Sequence, residues 1–361
     1  MKINFRELKV SNQYNNDISS SIKKFLKSGR IVDLDFNEHV EGKLAEVYKT
    51  KYSLGVSSGT MALFLALKAI KDKNPKNEII TSPLSWIATL NSITENNCKP
   101  VFVDVKSDFN INAELIENKI NEKTLAIMPV HFMGKICNLD LIYKIANKYN
   151  LYVIEDGAQS FGSNNFNNKV NCKKCIKAVS FNPMKILSCY GEGGALFLEN
   201  ERLFNKIKKL RYLGTNKYGN CVYPCINGKM STLSYILLNE NLKSFPNILL
   251  AYMNNAKYYN DNLSTNFKLP IDNDFGHNYH LYTILHKERN SIKQYLDSYD
   301  ISTRIVCNRL MSENSAYKQF KNKRFPIATK LTSQMLSIPN ADHIKCRHRE
   351  FISKKLNEYF N

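Results

Sequence analysis

The sequence predicts an α/β fold: a large domain over residues 1–245 with a mostly parallel sheet, then a smaller C-terminal α/β domain over 246–361. Three observations predict it. From about residue 50 to 200, apolar strand-like runs alternate with helical patterns, the signature of parallel strands joined by crossover helices. Two of those runs end in a residue able to do chemistry, Asp156 and Lys185, at the sheet edge where such folds bind ligands. Beyond about residue 250 the pattern changes to helix-like segments with aromatic spacing (Tyr252, Tyr258, Tyr259) and one later strand-like run.

The expected strands follow in order. They are Ile79-Ile80-Thr81, Val101-Phe102-Val103-Asp104-Val105, Leu125-Ala126-Ile127-Met128-Pro129-Val130, Tyr152-Val153-Ile154-Glu155, Ala178-Val179-Ser180-Phe181 and Ala195-Leu196-Phe197-Leu198. Each is a short, β-branched or aromatic-rich run. Between them, residues 61–70 and 139–149 carry apolar side chains at helical spacing. In the C-terminal part, Tyr279 to Ile284 reads as a strand and Ile292 to Tyr299 as a helix.

The 361 residues are 43% hydrophobic and 23% charged, enough apolar content for a packed core and far from a disordered composition. No apolar run is long enough to span a bilayer. The charged start Met1-Lys2-Ile3-Asn4-Phe5-Arg6-Glu7 lacks the apolar stretch of a signal peptide, so a cytoplasmic protein with no membrane partner is expected. The net charge is +19, from 51 Lys+Arg and 32 Asp+Glu. The lysines come in scattered pairs rather than one stripe, which argues against nucleic acid and suits an anionic small substrate. Nine cysteines, an odd number, read as reduced thiols. Cys172, Cys175, Cys221 and Cys225 lack supporting histidine spacing, so no metal is expected.

Four stretches carry candidate chemistry. Gly55-Val56-Ser57-Ser58-Gly59-Thr60 opens an apolar helix, which either cradles a phosphate on free backbone N–H groups or simply caps the helix. Asp156, in Val153-Ile154-Glu155-Asp156-Gly157-Ala158-Gln159, either caps a following helix or holds a protonated pyridine nitrogen, with Gln159 able to reach a ring hydroxyl. Lys185, in Ser180-Phe181-Asn182-Pro183-Met184-Lys185, follows a strand and a proline and precedes Gly191-Glu192-Gly193-Gly194. A confined site there would lower its pKa and make it a Schiff-base nucleophile, with Ser180 on a phosphate. Trp86, the single tryptophan, either packs in the core or stacks on a flat ring. An acid for the pyridine nitrogen and a lysine for the Schiff base are what a pyridoxal 5'-phosphate enzyme requires.

With these motifs in this order, the chain resembles the DegT/DnrJ/EryC1 family of pyridoxal phosphate-dependent sugar aminotransferases. The likeness runs from Phe5-Arg6-Glu7-Leu8 to Leu336-Ser337-Ile338-Pro339 and includes Lys99-Pro100-Val101-Phe102-Val103-Asp104-Val105 and Pro129-Val130-His131-Phe132-Met133-Gly134. It implies a fold type I, aspartate-aminotransferase-like architecture. It implies Lys185 as the catalytic lysine. Gly59, Thr60, Trp86, Asp156, Gln159, Ser180 and Asn227 are implied cofactor contacts, Asn227 reaching across from the second copy of a homodimer with shared active sites. Gly29, Lys229 and Arg304 are the implied substrate contacts. The implied reaction moves an amino group from L-glutamate to a nucleotide-linked keto sugar, by ping-pong kinetics, for surface polysaccharide or glycoconjugate synthesis. The subgroup acting on UDP-linked 3-keto-uronates resembles the chain around Ser188 to Phe197. Departures gather on the sugar side. Ile31 stands where a tyrosine is expected, Met184 where a small hydroxyl residue is, Lys229 for an arginine, and Val306-Cys307 for a His-Tyr pair. Around Ile301 to Arg304 the chain looks more like relatives that make 4-amino sugars. Two alternatives remain open: aminotransfer to a non-nucleotide ketone such as a cyclitol, and a non-catalytic sugar-nucleotide-binding homologue.

Overall fold

The computed structural model describes residues 1–8, 12–163, 172, 174–270, 276–320 and 324–360, and all structural statements concern these. Its strands are β1 (Tyr52–Val56), β2 (Glu78–Thr81), β3 (Lys99–Phe102), β4 (Thr124–Met128), β5 (Tyr152–Asp156), β6 (Cys175–Ser180), β7 (Gly194–Leu198), β8 (Tyr282–Leu285) and β9 (Met335–Ile338). Its helices are α1 (Asn12–Ser28), α2 (Leu34–Tyr48), α3 (Gly59–Lys71), α4 (Ile87–Thr94), α5 (Leu139–Lys148), α6 (Glu201–Leu210), α7 (Thr232–Asn262), α8 (Arg289–Asp297), α9 (Pro326–Gln334) and α10 (Cys346–Glu358).

β1 to β7 form one sheet in the order β1-β7-β6-β5-β4-β2-β3. The pairs within β6-β5-β4-β2-β3 are all parallel, and β7 runs antiparallel to both its neighbours. Every residue of β4 and of β7 is buried, as expected for strands covered on both faces. The helix α3 is apolar almost all round and buries Ala62, Leu63, Leu65, Ala66, Leu67, Ala69 and Ile70 against this sheet. A separate antiparallel pair, β8 and β9, carries the C-terminal helices around a core of Ile284, Ile292, Leu296, Leu336 and Ile352. The expected boundary at residue 245 lies within α7, next to Pro246.

Three expectations shift. The run 101–105 ends its strand at Phe102, because Asp104 turns its carboxylate to the N-terminus of α9 and accepts the Ile327 and Ala328 N–H groups, both at 3.0 Å. The run 279–284 becomes a strand only from Tyr282, since Tyr279 takes a left-handed φ of +52° that no extended strand can hold. β1, which the sequence analysis did not mark, is an edge strand of the large sheet.

The N-terminal segment crosses to the C-terminal unit. Ile3 pairs with Ile301, and Arg6 donates from Nη1 to the Asn340 carbonyl at 2.7 Å and to the Tyr252 hydroxyl. Segments distant in the chain thus meet above the carboxyl ends of the parallel strands.

Candidate active site

The register of three strands builds one end of the site. Ser180, the last residue of β6, pairs with Gly194, which opens β7, and Gly194 also pairs with Val56, the last of β1. The N-terminus of α3 is thereby pressed against Ser180. A Cβ on Gly59 would lie 2.7 Å from Ser180 Cβ, and one on Gly194 would lie 2.5 Å from the Ser58 carbonyl carbon. Only glycine permits this approach of backbone to backbone. Ser58 caps the helix by accepting the Met61 N–H at 3.0 Å, so the turn is a helix cap and also brings the helix N-terminus to the cavity. Gly59→Ala should cost about 1–3 kcal/mol, the usual penalty for overpacking. A shift in the thermal midpoint checks it, and an unchanged midpoint would mean that the backbones can part freely.

Asp156 ends β5 at the other side of the same cavity and is 4% exposed. Its Oδ2 accepts the Thr89 hydroxyl at 2.6 Å and its Oδ1 the Ala158 N–H at 3.2 Å. Ser85 lies 2.8 Å from Thr89, hydroxyl to hydroxyl, and steadies it. Turns, not a helix, follow through Ser163, so Asp156 is not a helix cap. Burial raises its pKa, and the bonds from Thr89 and Ala158 work against that rise. Lys185 sits one turn beyond β6, where its N–H donates to the Asn182 carbonyl at 2.9 Å. Burial depresses its pKa to about 8; the Asp156 charge opposes this and the Arg6 charge adds to it.

These groups face one cavity of about 620 Å³. Of the residues singled out from sequence, Gly59, Thr60, Trp86, Asp156, Gln159, Ser180, Lys185 and Arg304 line it. Trp86 is 62% exposed, so it is no core residue. It stands at the N-terminus of α4, one turn before Thr89. The Gln159 Oε1 accepts the Met133 N–H at 2.8 Å, which fixes its amide at the cavity wall. Three of the residues do not line the cavity. Gly29 is exposed, with φ +65° just past the end of α1. Asn227 is exposed, and the Lys229 ammonium lies 3.8 Å from the centroid of the Tyr212 ring.

Lining residues that the sequence analysis did not single out include Arg6, Thr89, Glu192 and His280. Thr89 had a signal in its helical spacing from Trp86, and Glu192 in its Gly-rich loop. Arg6 and His280 had none: the crossing of the N-terminal segment brings Arg6 here, and the bonds of Asn278 to the Gln159 carbonyl and of Leu281 to the Met133 carbonyl hold His280 between them. One wall is apolar or neutral: Met184, Leu281, Ile305, Val306 and Cys307, whose buried thiol is pushed up to about 12.

The comparisons with known proteins agree with this geometry. The model of the DegT/DnrJ/EryC1/StrS aminotransferase family matches residues 12–357. A dTDP-3-amino-3,6-dideoxy-alpha-D-galactopyranose transaminase from Aneurinibacillus thermoaerophilus is 30% identical over 361 residues, covering 99% of each chain. A UDP-2-acetamido-2-deoxy-3-oxo-D-glucuronate aminotransferase from Pseudomonas aeruginosa is 29% identical over 329 residues, covering 89% of this chain and 90% of its own. The crystal structure of NtdA from Bacillus subtilis with bound cofactor PMP superimposes with a TM-score of 0.89 at 25% identity, over 98% of this chain and 84% of that one. With a half-buried lysine and a buried aspartate facing one cavity, and a family match over almost its whole length, the chain belongs to the DegT/DnrJ/EryC1/StrS aminotransferase family.

Proposed function

We propose that this protein is a pyridoxal phosphate-dependent aminotransferase that moves an amino group from L-glutamate to a nucleotide-activated keto sugar. The observation that carries the reading is the pairing of Lys185, its pKa brought to about 8, with buried Asp156 across one cavity.

The residues fit the cofactor. The N-terminus of α3 at Gly59 and Thr60, together with Ser180, forms a cradle that any Cβ would fill, and such a helix end suits a phosphate. Asp156 can hold a pyridinium nitrogen, Trp86 can cover the ring face, and Gln159 can meet its hydroxyl. When bound, the cofactor supplies an electron sink for the carbanion formed at the substrate carbon. The protein does the rest. Lys185 is the nucleophile that captures the cofactor and then, once displaced, the base that takes the Cα proton and returns it. Asp156 keeps its negative charge beside the nitrogen, and Thr89 keeps Asp156 in place.

Several observations support the finer parts. Met184, Ile305, Val306 and Cys307 offer a sugar ring an apolar surface, with Arg304 beside them able to take an acidic group. Tyr212, Leu213, Tyr218, Val222 and Ile226 are all exposed beside Asn227. An apolar surface of this kind supports a second copy packed there, with Asn227 and Lys229 completing the partner's site. Amino sugar supply to a surface polysaccharide is the role we assign, and a cytoplasmic location fits it.

The visible absorption spectrum of the protein with pyridoxal phosphate, before and after L-glutamate, tests the reading. A band that forms and then bleaches supports it, and no band overturns it. The pH dependence gives a second check. Below pH 8 the neutral amine fraction of Lys185 falls about tenfold per unit, so the rate of cofactor capture should fall likewise and level off above pH 8. A flat profile from pH 6 to 8 would contradict the assigned nucleophile.

A further inference from the structure

The Cys172-Lys173-Lys174-Cys175 motif takes no part in the active site, and neither thiol lines the cavity of Lys185. Both thiols are free and buried, at 7% and 9% exposure. They line one small cavity together. Among the described residues no group of His, Cys, Asp and Glu side chains could hold a metal. Thiol–disulfide chemistry is the other chemistry open to two cysteines at this spacing.

The pair sits on a buried acid. Glu155 precedes Asp156 in β5 and so points to the opposite face of the sheet. It accepts the Cys175 S–H at 2.9 Å, the His131 Nε2–H at 3.1 Å and the Tyr143 hydroxyl, with the Lys177 ammonium 3.9 Å away. Three partners therefore remain to Glu155 when the Cys175 proton leaves. Cys175 also hydrogen-bonds Cys172. That bond is the first cause holding the Cys172 thiol below its usual range; burial opposes it, and the Lys174 N–H and the Lys177 charge act with it. Burial first, then the bond to Cys172, pushes the Cys175 thiol well above its own. The two thiols are unequal in the way an attacking and a resolving cysteine must be.

Cys175 also lines a groove of about 1160 Å³. The groove passes Tyr152 and Cys175, the first residues of β5 and β6, at the end of the sheet opposite the Lys185 cavity. Lys73, Lys174, Arg202 and Lys209 outnumber Glu201 along it, and Lys206 is matched by Asp72 at 2.8 Å. Such a surface draws in anions.

We propose that Cys172 and Cys175 form a thiol–disulfide site for a small anionic disulfide of the glutathione class, which approaches along the basic groove. The Cys172 thiolate attacks one sulfur of the incoming disulfide, and the other sulfur leaves as a thiolate. Cys175 then attacks the Cys172 sulfur, closing the Cys172–Cys175 bond and expelling the second small thiolate. Two electrons pass from the cysteine pair to the incoming disulfide, and the two cysteine protons end on the two thiols released.

Peptide mapping reads the site on the full chain. The folded protein is held in mixtures of reduced and oxidised glutathione, quenched by alkylation in denaturant, and digested. As oxidised glutathione rises, Cys172 and Cys175 should escape alkylation together with the loss of two hydrogens, and dithiothreitol should restore both. Cys175→Ser should instead trap glutathione on Cys172, and Cys172→Ser should leave Cys175 without an adduct. Lys209→Glu should slow oxidation by glutathione at least about threefold at low salt, and leave oxidation by neutral hydroxyethyl disulfide unchanged. Wild-type thiols that stay alkylatable at every glutathione ratio overturn the site, and this arm needs no variant. Glutathione held on wild-type Cys172 without closure overturns the pairing. Equal rates of oxidation by glutathione in Lys209→Glu and wild type overturn the groove as the route of approach.

Discussion

Lys185→Ala is expected to lower transamination by at least about 10³-fold, since one substitution removes both the nucleophile and the proton carrier, and positioned acid–base groups alone contribute about 10²–10⁴-fold. The structure explains why no neighbour can substitute. Arg6 and Arg304, the other cationic side chains among the described lining residues, carry guanidinium groups, which do not add to a carbonyl as an amine does. Lys185 differs because burial has brought its pKa to about 8, so at pH 7 about a tenth of the free amine is neutral and reactive. Lys185→Arg keeps the charge but can neither capture a carbonyl nor shuttle a proton, and it should be as inactive as alanine. Single-turnover measurement of 2-oxoglutarate release checks both variants. Wild-type turnover in either would remove Lys185 from its assigned role.

Asp156→Asn should lower kcat by about 10²–10³-fold, the range seen when one preorganised electrostatic contact at a reacting centre is lost. The amide has nearly the same shape, and its one oxygen can still accept the Thr89 hydroxyl while the Ala158 N–H loses its acceptor, so the cavity should keep its form. What it lacks is the negative charge that holds the ring nitrogen protonated. The same change also takes away a charge that raises the Lys185 pKa, so the pH profile of cofactor capture should move to lower pH. The stability effect has the opposite sign to the activity effect. A carboxyl whose folded pKa is raised opposes folding once it is ionised, and that cost is relieved as pH falls through the folded pKa. At neutral pH, cofactor-free Asp156→Asn should therefore melt close to wild type, the relieved ionisation cost offsetting the lost Ala158 bond. A kcat within threefold of wild type would sink the role of Asp156. A large drop in the thermal midpoint would mean that its service is structural.

Arg6 and Arg304, which both line the cavity, show where sequence reading stops. Arg304 could be singled out because it stands in a stretch resembling relatives that make 4-amino sugars. Arg6 sat inside a recognised motif but nothing in its neighbours marks it as a cavity residue. Its position depends on Ile3 pairing with Ile301 and on the clamp from Tyr252, His280 and Asn340. Each of those is a long-range contact with no local signature. Thr89 is an intermediate case, since helical spacing from Trp86 places it on the same face, yet only the fold brings Asp156 within 2.6 Å.

What the sequence determined by itself is what depends on local period and residue type. Alternating strand and helix patterns implied a mostly parallel sheet, and chain order placed Asp156 and Lys185 at the carboxyl ends of its strands. The small residues of Gly55 to Thr60 marked a turn that opens a helix. Strand direction was not legible, because the side-chain alternation of a strand is the same whichever way it runs. Only the tertiary structure set β7 antiparallel between β1 and β6, so that Val56, Gly194 and Ser180 fall in line and press the helix end against Ser180. It also decided the acidity of the reacting lysine. Burial sets that value, and burial is the sum of everything packed around a group, which no short stretch of chain contains.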